Sequence, residues 1–196
     1  NLGSVGIGSD YTISIQSMTN TDTRDAQATL KQIMQLADIG CQIIRVAVPD
    51  GQAADSLKEI CAQSPIPVVA DIHFDYRLAI KAVKNGVQGL RINPGNIGNA
   101  LKVREVVHAA AYYDVPIRIG VNSGSLEKDI LEKYHGVTAL GLVESALRHV
   151  KILEDNNFYK IKISLKASHV PLMIEAYREI AKLVPYPLHL GVTEAG

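Results

Sequence analysis

The chain has 196 residues, 47% of them hydrophobic and 20% charged. That apolar content can offset the entropy of ordering, which excludes a disordered tail or low-complexity linker, and at this length a single domain over 1–196 is expected. Lys plus Arg and Asp plus Glu number 20 each. The balance removes the global basic field that favours nucleic acid or anionic lipid, but leaves local charge clusters open.

Taken in chain order, short β-branched runs alternate with segments of helical spacing. Thr12–Ser17 predicts a first strand. A helix over Thr29–Ile39 follows, with Leu30, Ile33, Met34, Leu36 and Ala37 on one face. Ile43–Val48, Pro67–Ile72 and Gly89–Ile92 predict strands, interleaved with helices over Ala53–Ala62 and Arg77–Val83. A helix over Leu101–Tyr112 precedes a strand at Pro116–Val121. The polar stretch Ser125–Gly136 lengthens the next interval, before a helix at Ala139–Leu153 and a strand at Lys160–Leu165. Leu172–Leu183 and Pro187–Val192 predict the last helix and strand. Gly40, Asn85-Gly86 and Asn156-Asn157 follow helical segments, as left-handed C-terminal residues do.

Such alternation predicts a parallel sheet covered on its faces. A dinucleotide-binding sheet needs a Gly-x-Gly-x-x-Gly turn after the first strand, whereas this turn reads Met18-Thr19-Asn20-Thr21-Asp22. Polar residues close nearly every strand instead of gathering at one switch point. That distribution predicts an α/β chain of TIM (β/α)8 barrel type, truncated to about seven βα units, since a full barrel takes about 200 to 250 residues. The chain starts without Met, ends Thr193-Glu194-Ala195-Gly196, and is read as a piece of a longer protein.

Two cysteines, Cys41 and Cys61, form no Cys-x-x-Cys pair, fit a reducing compartment and read as packing residues. No apolar run approaches the ~18 residues of a membrane span, and no signal segment opens the chain. Neither a nucleic-acid nor a membrane partner is expected.

Strand side chains alternate between faces, so parity sorts the strand residues. Arg45 shares a face with Ile43 and Ala47, Arg91 with Asn93, Arg118 with Gly120 and Asn122, and Lys166 with Lys162 and Ser164. If those faces point inward, Arg45, Arg91, Arg118 and Lys166 converge near the C-terminal mouth. Buried cations need an anionic counterpart. A phosphate or diphosphate suits the planar Arg fork, while internal pairing with Asp71 and Glu194, or an outward direction between helices, is the plainer alternative. Asp71-Ile72-His73 puts two polar groups on one face, as an acid–base pair, a ligand clamp or, for Asp71, a cap on the next helix. No His-x-His or His-x-x-x-His accompanies them, so no metal site is expected. The Asn93–Gly98 turn offers backbone N–H groups to an anion, or is only a turn. Glu194 is a candidate proton shuttle or a charge balance. His108, His135, His149 and His169 read as surface residues.

Five blocks carry a resemblance: Ser14–Asn20, Val69–Arg77, Leu90–Gly98, Ile117–Lys128 and Leu188–Gly196. Together they resemble the 4-hydroxy-3-methylbut-2-enyl-diphosphate synthases of the methylerythritol phosphate route to isoprenoids. The resemblance implies reductive ring opening and dehydration of 2-C-methyl-D-erythritol 2,4-cyclodiphosphate. It implies a diphosphate held in the barrel and a [4Fe-4S] cluster in a C-terminal domain, ligated by three Cys and one Glu that this chain lacks. It further implies a head-to-tail homodimer, ferredoxin or flavodoxin as electron donor, and a bacterial cytoplasmic or plastid stromal location. By matching motif, Arg45, Arg91, Arg118 and Lys166 become diphosphate ligands, and Asn122, Asp71 and His73 orient substrate. Glu194 becomes the acid–base residue, with Thr193 beside it. No cluster is expected on these residues alone, and the chain by itself is expected not to turn over. Two other readings are a dihydropteroate-synthase-like transferase and a non-catalytic barrel that binds phosphorylated ligands.

Overall fold

Strands that are buried along their whole length must satisfy their backbone groups sideways and present apolar side chains to both faces. That is the condition of β3 (Val68–Asp71) and β4 (Gly89–Ile92), while β2 (Ile43–Ala47) is buried except at the half-buried Arg45 and Ala47. The computed structural model describes residues 1–193. The chain packs as two compact units, Asn1–Ile117 and a second beginning at Arg118.

In the first unit β1 (Gln16–Met18), β2, β3 and β4 pair in parallel and in sequence order. The connections are right for βα repeats: α1 (Ala26–Asp38), α2 (Gly51–Gln63), α3 (Tyr76–Lys84), a single turn α4 (Pro94–Ile97) and α5 (Ala100–Tyr112). Each long helix starts where a short polar side chain takes up an orphan N–H group. Asp25 accepts from Ala28, Asp50 from Gln52 and Ala53, Asp75 from Arg77, and Asn99 from Lys102. The N-terminal segment closes one end of the sheet: Leu2 packs on Ile43 and Val69, with Val5 and Ile7 against them. Gly89 lets the segment pack closely there, because a Cβ would lie 3.1 Å from Leu2 Cδ1 and 3.2 Å from Val69 Cγ2, so these side chains would have to give by a few tenths of an ångström.

The second unit holds β5 (Ile117–Asn122), whose first residue belongs to the first unit, and its neighbour β6 (Ile161–Lys166). Helices α6 (Lys128–Lys133), α7 (Ala139–Glu154) and α8 (Val170–Leu183) accompany them. The polar interval 125–136 is therefore partly helical. Polar ties join it to α7: Asp129 accepts from Arg148 at 2.6 Å, and Glu144 accepts from Lys133 and Tyr134 at 2.7 Å each, with Arg148 of the same helix as a third donor at 2.7 Å. Three donors hold the Glu144 carboxyl far down, at about 2.

Two predicted strands are shorter than their sequence pattern. Of Thr12–Ser17 only the end joins β1, because the Ile15 amide is taken by the Gln42 side chain and Ile13 projects into solvent. Of Pro187–Val192 a single parallel bridge forms, Ile163 with Leu188.

Candidate functional site

The first unit gathers three of the predicted site residues, Arg45, His73 and Arg91, around the carboxylate of a fourth, Asp71. Strand register puts Arg91 directly opposite Asp71, and Asp71 opposite Ala47, two residues beyond Arg45. Register and side-chain alternation together thus put all three polar side chains on one face of the sheet. Asp71 is 3% exposed and accepts from Arg91 Nη1 at 3.0 Å. Its other oxygen lies 3.6 Å from Arg45 Nε and 3.6 Å from His73 Nε2. A carboxylate removed from water needs such partners, so Asp71 is an ion-pair centre. The cap of α3 comes from Asp75 instead. The Arg45 guanidinium is held below its usual pKa by burial, an effect that Asp71 opposes and Arg91 reinforces. Arg45 also directs Nε and Nη2 at Met18 Sδ, at 3.1 and 2.8 Å. A thioether is a weak acceptor, which an oxyanion would outcompete.

Beyond this cluster lies a cavity of about 430 Å³ lined by Phe74, Asp75, Tyr76, Arg77, Ile97 and Lys102. None of the described site residues predicted from the sequence lines it. Asn93 is spent on a cap: its side chain accepts from Gly95 at the start of α4.

The second unit carries Arg118, Asn122, Lys166 and Thr193. Arg118 is 2% exposed, on the second residue of β5, and Lys162 is buried at the matching place on β6. Burial, and then the charge of Arg118, push the Lys162 ammonium down to about 8. Ser164, between Lys162 and Lys166 on the same face, donates to the Ile119 carbonyl at 3.3 Å. Asn122 and Lys166 end their strands and are half-buried. Gly191 leaves room for Lys166: a Cβ at 191 would stand 3.1 Å from Nζ. Thr193 is half-buried, and Glu194 lies outside the described residues.

His149 differs from its expected surface position. It sits on the inner side of α7, 3% exposed, with Nε2 3.3 Å from Glu127 Oε1. The apolar residues Leu142, Val143, Ala146, Val150 and Leu153 surround it in sequence and are all buried. Helical spacing puts it on that stripe, a signal the sequence does contain. Burial holds the imidazole below its usual pKa, with Glu127 opposing and Arg148 adding to the shift.

A [4Fe-4S] cluster needs thiolates. Cys41 is buried, its Sγ donating to the Ile43 carbonyl at 3.1 Å, and burial raises the Cys61 thiol to about 12. Among the described residues no group of three or more His, Cys, Asp or Glu side chains is placed to hold a metal. These residues therefore do not fit the cluster.

Known proteins complete the picture. The family model described as the GcpE TIM-barrel domain matches residues 1–196. The chain belongs to this family. A 4-hydroxy-3-methylbut-2-en-1-yl diphosphate synthase (flavodoxin) of Clostridium acetobutylicum is 62% identical over 195 residues, covering 100% of this chain and 56% of the relative. The enzyme of the same name from Geobacter sulfurreducens is 60% identical, covering 100% and 55%. The chain thus spans about half the length of the curated relatives it matches. Among solved structures, a truncated 3-deoxy-D-arabino-heptulosonate 7-phosphate synthase of Thermotoga maritima aligns with a TM-score of 0.68 at 17% identity, covering 96% of this chain and 66% of that one. Dihydropteroate synthase of Stenotrophomonas maltophilia gives 0.66 at 13%, covering 89% and 70%. At such identities the likeness is one of fold, and it places this GcpE domain among the TIM barrels. The resemblance to dihydropteroate synthases goes no further than that. No helix among the described residues is long and apolar enough to cross a membrane.

Proposed function

We propose that this chain is the substrate-binding barrel of an enzyme that opens and dehydrates 2-C-methyl-D-erythritol 2,4-cyclodiphosphate, giving 4-hydroxy-3-methylbut-2-enyl diphosphate in isoprenoid biosynthesis. The ring-opening step consumes two electrons and two protons and releases water. The observation that carries this reading is the 62% identity, over 195 residues, to a synthase of that name. Flavodoxin or ferredoxin supplies the electrons. The cluster that delivers them takes its ligands from residues outside this chain, in a homodimeric parent enzyme.

Within the chain, Arg45, Arg91, Arg118 and Lys166 serve as diphosphate ligands. Guanidinium groups carry five N–H donors, more than one carboxylate can occupy, so pairing with Asp71 leaves Arg45 able to meet phosphate oxygens. Asp71 orients substrate through these arginines, because its short contact to Arg91 fixes the fork before any ligand arrives. His73, with its ring largely exposed and 3.6 Å from Asp71, is placed to donate to a ligand oxygen. Asn122 orients substrate from the end of β5. Glu194 exchanges protons with the substrate, and Thr193 supports it.

Calorimetric titration of the full-length protein with the cyclodiphosphate tests this reading. Arg118→Ala is expected to weaken binding by roughly 10- to 100-fold, the range of one charge-assisted contact. Equal affinity for variant and parent would remove Arg118 from the ligand set.

A further inference from the structure

The seam beside β6 is irregular. In a parallel ladder the hydrogen bonds alternate evenly from strand to strand. Here Ile163 N donates to the Pro187 carbonyl at 3.0 Å, and His189 N donates to the Ile163 carbonyl at 2.7 Å. The next rung should run from Leu165 N to the His189 carbonyl. Instead, Leu165 N donates to the Tyr177 hydroxyl at 3.0 Å, and that hydroxyl donates to the His189 carbonyl. A side-chain hydroxyl from α8 has been inserted into the ladder, so one rung is two bonds long. The backbones separate there, and the strand pattern at Pro187–Val192 yields only the bridge at Ile163–Leu188.

The insertion sits one residue before Lys166. Past it, the separated segment comes back alongside Lys166 at Gly191, where a Cβ would be 3.1 Å from Nζ and 3.3 Å from Cε. Tyr177 is 7% exposed and pushed up to about 12, chiefly by burial, so its phenol stays protonated and keeps donating. A hydroxyl can accept from an N–H and donate to a C=O at once, which is what a two-bond rung demands. We propose that Tyr177 is a positioning residue: its hydroxyl holds β6 and the 187–191 segment at the spacing that seats the Lys166 ammonium against Gly191. The proposal rests on the reading of Lys166 as a diphosphate ligand, and adds a cause for its placement.

The test uses the full-length protein and two readouts, amide hydrogen exchange at Leu165 and calorimetric affinity for the cyclodiphosphate. In Tyr177→Phe the ring still separates the strands but the rung is lost. Exchange at Leu165 should quicken by at least about tenfold, and affinity should fall by roughly three- to tenfold. Added to Lys166→Ala, the same change should cost no further affinity, because the two act through one group. Unchanged exchange, unchanged affinity, or an additive loss in the double variant would each overturn the proposal. A loss of affinity from general destabilisation would be additive, and so is told apart. Gly191→Ala probes the seam without touching the buried ring, and should weaken binding by roughly threefold through displacement of Nζ. If Tyr177→Phe does not fold, this variant decides: unchanged affinity overturns the proposal. If Lys166→Ala itself leaves affinity intact, the ligand reading of Lys166 fails and the proposal with it. Leu165 exchange in Tyr177→Phe then still shows whether the rung exists.

Discussion

The two units bury cations in different company. In the first, Arg45 and Arg91 surround Asp71, and the carboxylate answers both the desolvation of the guanidiniums and their mutual repulsion. In the second, Lys162 lies beside Arg118, and both burial and that neighbouring charge work against its ionised form. The difference teaches that a face rich in cations is built in two ways. One is a fixed ion-pair cluster that pre-positions its arginines. The other is a like-charged pair whose lysine can shed its proton at mildly alkaline pH. A ligand anion would compete with Asp71 in the first case and relieve repulsion in the second.

The comparison breaks most sharply at Asp71. Asp71→Ala should cost about 3–5 kcal/mol in urea denaturation, because it strands buried guanidinium charge. A loss below 1 kcal/mol, on the order of a surface change, would mean that the cluster is open to water. Lys162→Met should act in the opposite direction. Removing a charge whose pKa falls from 10.5 to about 8 on folding should add roughly 1–3 kcal/mol of stability at pH 7. The sign follows from linkage. The folded state releases its proton first, so between pH 8 and 10.5 the unfolded state binds more protons and the parent gains stability as pH rises. The advantage of Lys162→Met should therefore shrink across that window, and a constant difference would contradict the buried like-charge pair.

A smaller effect is expected at His149. Its folded pKa lies below the ordinary value, so the stability it contributes is complete above pH 6.5 and declines as pH falls through that value. Thermal unfolding of His149→Gln should show a flatter acid limb than the parent. The same acid limb in both would place the ring in solvent. The mildest change is Thr138→Ala, which removes the oxygen that accepts from Gly141 at the start of α7. It should cost about 1 kcal/mol by denaturation, a yardstick away from both cation clusters.

Much of this architecture is legible in the residues themselves. Six of the seven expected strands and all six expected helices form, because apolar periodicity records which faces are covered. Parity groups Arg45 with Ile43 and Ala47, Asp71 with His73 and Arg91 with Asn93, since side-chain alternation in a strand is a local property, and strand register then brings Arg45, Asp71 and Arg91 onto one face. Asp71 can be read from sequence as a cap, a clamp or an acid, and register across three strands is needed to show an ion-pair centre. His149 reads as a surface residue when its polarity is weighed above its position on the apolar stripe of α7. A half-buried carboxylate, Glu127, makes the buried position tolerable, and it comes from outside that helix. Helix α6 and the turn α4 escape a periodicity reading because both are shorter than the window over which periodicity shows.

The sequence alone determined the alternation of strand and helix, the barrel class, the faces that carry Arg45, Arg91, Arg118 and Lys166, and the family resemblance. These follow from local periodicity and from the order of motifs along the chain. Only the tertiary structure decided which charge meets which. It set Asp71 against Arg91 through strand register, Lys162 against Arg118 through adjacent strands, and Tyr177 between Leu165 and His189. Those relations join residues far apart in the chain, and their energies depend on distance and burial, which folding alone supplies.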